Sequence, residues 1–121
     1  MSNVAGEKFN NGPTCKGVSF SEPNAPFDLS HIEVENRYPA GRNDWSVFED
    51  ERFVQVYVIE GTGSLLKKDS GSVELESGKS YKIEGGTRYA WKSSGGRALR
   101  FIMGVSPPFG DGKGYKVEVE Q

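Results

Sequence analysis

Residues 75–96 read LESGKSYKIEGGTRYAWKSSGG. Glycines fall at Gly78, Gly85, Gly86, Gly95 and Gly96, and between them Tyr81 and Ile83, then Tyr89 and Trp91, occupy alternate positions. In an extended chain, alternation places each pair on one face. Glycine supplies the positive φ that tight turns demand. The stretch therefore reads as two short strands and their turns, each strand with one face to bury.

The pattern continues on both sides. From Arg52 onward, apolar runs of strand length are punctuated by Gly61, Gly63 and Gly71 as well as by the glycines above. Val73 and Leu75, then Leu99, Phe101 and Met103, then Val117 and Val119 repeat the alternation. The run RFVQVYVI (52–59) is rich in β-branched and aromatic residues and reads as a strand buried on at least one face. No window shows helical periodicity. The fold class is all-β, and about eight short strands in so small a domain call for a closed barrel or jelly roll that protects its edges.

The chain has 121 residues, enough for one domain that buries ~two-thirds of the surface its unfolded form exposes. Fifteen Lys and Arg stand against 17 Asp and Glu, without long runs of either sign, which argues against a nucleic-acid or membrane partner. A single cysteine, Cys15, excludes an internal disulfide. The opening MSNVAGEKFNNGPT offers no apolar core for a signal peptide, so a soluble, cytoplasmic protein is expected. Cys15 and His31 as a nucleophile and its base lack any recognisable motif.

The first thirty residues differ in composition. NNGPT and SEPNAPFDLS are rich in Asn, Pro and Ser, and Pro23 and Pro26 favour extended neighbours. Residues 1–30 are read as an N-terminal arm, extended or partly disordered, and residues 31–121 as the barrel. Phe9, Phe20 and Phe27 favour an arm docked on the barrel or on a partner subunit.

From Arg37 to about Pro108 the chain resembles the cupin superfamily of small β-barrels, on two motifs. YPAGRNDWSVFEDERFVQVYVIEG supplies Gly41 and Gly61 at the ends of the first, and GKSYKIEGGTRYAWKS supplies Gly78 and Gly86 of the second. The resemblance implies a single-domain cupin barrel, or double-stranded jelly roll, and a homodimer. In cupins these motifs carry histidines and a glutamate that hold a metal. Here the corresponding places fall on Val47, Glu49, Val54 and Tyr89, and a shift of one residue, to Phe48, Asp50 and Phe53, does no better. Imidazole and carboxylate are what such ions require, so neither a metal nor another cofactor is expected.

If the alignment holds, Val54, Val56 and Val58 point into the barrel beside Tyr89 and Trp91, with Glu49 near the rim and Arg37 and Tyr38 just before the first motif. A concave apolar wall with few polar groups is the character of a small-molecule pocket. Glu49, Tyr89, Trp91, Arg37 and Tyr38 are the expected ligand-binding residues, for a small polar or carbohydrate-like ligand. A sugar or nucleotide-sugar isomerase or epimerase is the rival reading, and an assembly module with a filled barrel is a third. Binding ranks above catalysis because the only substitute for a pocket histidine is Glu49, which needs burial to work near neutral pH. No catalytic residue is assigned.

Overall fold

The computed structural model describes residues 6–20, 25–49, 52–107 and 114–119. Their strands are β1 (Glu7–Asn10), β2 (Cys15–Ser19), β3 (Asp28–Val34), β4 (Arg37–Tyr38), β5 (Trp45–Phe48) and β6 (Phe53–Glu60), followed by β7 (Gly63–Lys67), β8 (Ser70–Leu75), β9 (Ser80–Ile83), β10 (Tyr89–Ser93), β11 (Leu99–Ser106) and β12 (Tyr115–Glu118). Two antiparallel sheets result. One runs β1-β2-β3-β11-β6-β9 and the other β12-β5-β10-β7-β8, with β4 alongside β10. No helix among the described residues is long and apolar enough to cross a membrane.

Register decides which side chains meet between the sheets. On β6, Val54, Val56 and Val58 have no exposed surface, while Phe53, Tyr57 and Ile59 are exposed, as the alternation predicts. Their partners on β11 share the inner face: Met103 opposite Val56 and Val105 opposite Val54. Leu65, Leu75, Ile83, Leu99 and Phe101 complete the core. Burial of a side chain of this kind contributes ~1.5–3 kcal/mol, which makes this the stabilising end of the barrel.

The matched glycines are turn residues. Gly61, Gly78 and Gly86 all have φ between 80° and 90°. Gly78 closes the link to β9, its N–H donating to the Val58 carbonyl at 2.8 Å.

The N-terminal segment contributes sheet rather than lying over one. β1 and β2 form a hairpin, and β2 pairs with β3 through Cys15 opposite Val34 and Ser19 opposite Ser30. Phe9 packs against the core, whereas Phe20 and Phe27 are exposed. Phe9 stands opposite Gly17, and a Cβ built at Gly17 would meet the Phe9 ring at 2.5 Å. The missing side chain is thus the seat of the ring. Of the FGDGKGYK stretch only residues from Gly114 onward are described, and Asp50 and Pro23 also lie outside the described residues.

Candidate functional site

Away from the valine core the two sheets part around a cavity of about 350 Å³. Its walls differ in chemistry. Tyr38 of β4, Tyr89 and Trp91 of β10 and Tyr115 of β12 supply aromatic surface from one sheet. Asp28, Ser30 and Ile32 of β3, with Cys15 and Ser19 of β2, face them from the other. Phe9, Asn11 and Met103 complete the lining. Positions 28, 30 and 32 share a face because a strand repeats every second residue, and β2 presents Cys15 and Ser19 for the same reason.

The aromatic wall is a packed series. Tyr89 lies opposite Ser46 of β5, and Trp91 opposite Tyr38. Phe48 stacks on Tyr89, with ring centroids 6.3 Å apart and planes at 16°, and Phe101 backs Trp91 at 4.4 Å. Tyr115 hydrogen-bonds Ser46 Oγ at 2.9 Å, and the Tyr38 phenol donates to Tyr115. Burial pushes the phenols of Tyr38, Tyr89 and Tyr115 above the ordinary tyrosine range, and pushes the Cys15 thiol up to about 12. All four groups are held neutral, as donors and not as bases.

Of the five residues expected to bind a ligand, the structure brings Tyr38, Tyr89 and Trp91 together at the cavity and leaves two outside it. Glu49 lies one residue beyond β5, more than half exposed, with its carboxylate 3.6 Å from Lys116 Nζ. It is no substitute base, because the end of the strand turns it to solvent. Arg37 curls back on its own loop, donating to the carbonyls of Pro39 and Gly41, with its guanidinium 5.1 Å from the centre of the Trp45 ring. Two short-range acceptors and that ring hold it away from the cavity. The β6 valines also differ from expectation: they fill core and line no part of the cavity.

The polar wall was not foreseen. Asn11, Ser19, Asp28 and Ser30 belong to the segment read as an arm, and no motif marks them. The one available signal was the alternation Asp28, Ser30, Ile32, Val34, which looks like surface until β3 pairs with β11 and the second sheet faces it.

The metal places of the cupin motifs carry no suitable donor set. Val47 and Val54 are buried hydrocarbon, Glu49 is turned to solvent, and Tyr89 is a buried neutral phenol. Among the described residues no three His, Cys, Asp or Glu side chains cluster as metal ligands. A transition metal does not fit these residues.

This architecture is the cupin fold, a double-stranded β-helix barrel. Streptomyces Pac13, a nucleoside dehydratase, superposes with a TM-score of 0.74 at 16% identity, over 93% of this chain and 84% of that one. Ectoine synthase from P. lautus gives 0.69 at 14% identity, over 94% and 82%. A cupin-2 domain from Rhodospirillum rubrum gives 0.67 at 13% identity, over 98% and 76%. No protein-family model matches the chain. No curated protein matches it in sequence.

Proposed function

We propose that the barrel cavity binds a small organic molecule. The observation that carries this reading is the pairing of an aromatic wall, Tyr38, Tyr89, Trp91 and Tyr115, with a polar wall that includes Asn11, Asp28 and Ser30 across about 350 Å³. Ligand cavities span ~300–1,000 Å³, are mainly apolar and place a few polar groups for orientation. This one, at about 350 Å³, lies at the small end of that range. Rings of Tyr and Trp stack on flat or sugar-like surfaces and still offer hydrogen bonds. Pac13, solved with uridine, has the same barrel, which puts nucleosides beside monosaccharides in the first panel. Ligand-observed NMR on the wild type and on Ser30→Phe tests the reading. Binding that Ser30→Phe removes supports it, and binding indifferent to that substitution places the site elsewhere.

Proton-transfer catalysis, as in an isomerase or epimerase, is a second reading favoured by one observation. Asp28 is a carboxylate at the wall of a cavity that also holds neutral phenols, so a base and acids share one space. Asp28→Asn would then abolish turnover of a bound substrate while sparing its binding. Pairing of two copies is proposed to use the outer face of the first sheet, where Phe53, Tyr57 and Ile59 are exposed along β6. Light scattering reads that directly.

A further inference from the structure

The cavity proposed above as a ligand site offers no spare charge of either sign. No Lys, Arg or His stands among its described lining residues. Its one carboxylate belongs to Asp28, which already has a partner within the chain. On the strands that build it, Lys16 and Arg100 instead hold Glu33 at 3.1 and 2.9 Å on the outer face of β3. Arg37 donates to the Pro39 and Gly41 carbonyls, and Lys116 lies 3.6 Å from Glu49.

A phosphate entering this space would shed its hydration and meet no opposite charge, a loss that nothing in the lining offsets. An ammonium would have to draw Asp28 from the partner it has, breaking one interaction to make another. Neutral polar groups lose far less on leaving water, and here they find partners. Asn11 and Ser30 each donate and accept hydrogen bonds, as hydroxyls and amides do. Across from them, Tyr89 and Trp91 have ring centroids 5.7 Å apart and planes inclined at 76°, so they form an aromatic corner, and Ile32 and Met103 add apolar surface. A molecule with an apolar face and an edge of hydroxyls or amides meets both walls.

Resting on the reading of this cavity as a ligand site, we infer that its ligand is an uncharged ring compound edged with hydroxyl or amide groups, of the class of a free sugar or nucleoside and not of a sugar phosphate, nucleotide or nucleotide sugar. The same exclusion narrows the isomerase reading to unphosphorylated substrates.

The test is calorimetric titration of the full chain with two series that vary only in charge: uridine, uridine monophosphate and 5′-amino-5′-deoxyuridine, then glucose, glucose 6-phosphate and 6-amino-6-deoxyglucose. The neutral parent of at least one series is expected to bind, and each of its charged partners to bind more than tenfold more weakly. Binding is placed in the cavity by its loss in Ser30→Phe, checked for folding by its amide spectrum, and independently by displacement of the Trp91 indole N–H signal in the wild type. A charged partner that binds there within tenfold of its parent, or more tightly, overturns the neutral assignment and leaves the cavity a ligand site. Binding that neither Ser30→Phe nor Trp91 senses, or no binding by any of the six up to its solubility limit, brings down both readings.

Discussion

Tyr89 and Trp91 project from the same face of β10, their rings in edge-to-face contact at 5.7 Å, and they are at once barrel core and cavity wall. Structure and the proposed recognition therefore depend on the same two side chains. Trp91→Ala should destabilise by about 3–5 kcal/mol, since it also strips Phe101 of its neighbour. Trp91→Phe keeps a ring there and should cost less than half as much. Urea midpoints of the two variants check the difference, and similar losses would show that the ring face at this place is unimportant.

The glycines separate conformational need from spatial need. Gly61 has φ +90° and a Cβ there would meet the Ala98 carbonyl oxygen at 2.5 Å, whereas Gly78 has φ +84° with open space around it. Gly78→Ala should cost about 1–2 kcal/mol from backbone strain alone. Gly61→Ala should cost clearly more, because strain and clash add. Gly71→Ala, with neither constraint, should leave the melting temperature within a degree or two of wild type.

Alkali should loosen the barrel in a defined window. Cys15, Tyr38, Tyr89 and Tyr115 all have folded pKa values raised by burial above ordinary values of 9 for thiol and 10 for phenol. A group with a raised pKa favours the fold fully below its unfolded value, and the contribution is lost as pH rises toward the folded one. Stability should therefore hold to about pH 9 and fall steadily toward pH 12. Tyrosinate absorbance should show three of the chain's five tyrosines ionising only as near-ultraviolet circular dichroism is lost.

Cys15 offers a chemical probe of the cavity it lines. With its thiol pushed up to about 12, only a minute fraction is thiolate at neutral pH. Alkylation by iodoacetamide should be slow at pH 7 and rise roughly tenfold per pH unit while the fold persists. A bound ligand should slow it further. Rapid labelling at pH 7, unaffected by any ligand, would mean that the thiol is reached without entering the cavity.

Much of the fold could be read from local pattern. Alternation on β6 and β11 predicts their buried faces because one face of each meets hydrocarbon, whereas β10 is buried on both faces from Tyr89 to Trp91, and positive φ at Gly61, Gly78 and Gly86 ties the motif glycines to turns. The candidate site was half legible. Tyr89 and Trp91 announce themselves as aromatics on an inner face, and Tyr38 by its place just before the first motif. Asp28, Ser30 and Ser19 do not, since polar residues near Pro and Asn look solvated until a strand pairing distant in sequence, β3 with β11, turns them inward. Tyr115 stands after a glycine-rich stretch of sequence, and its inward place depends on pairing with Phe48. Glu49 and Arg37 mislead for the opposite reason: each lies close to the barrel mouth along the chain, and a local partner, Lys116 or the Pro39 and Gly41 carbonyls, holds its charge outside.

The two tryptophans give the most direct test of the cavity as a binding site, for Trp91 lines it and Trp45 lies outside it beneath Arg37. The measurement is the position of both indole N–H signals in a nitrogen–proton correlation spectrum during titration with uridine and monosaccharides. A ligand in the barrel should shift the Trp91 signal in a saturable way and leave that of Trp45 in place. A saturable shift of Trp45 alone, or stillness of both through the whole panel, would contradict a small-molecule site between these sheets.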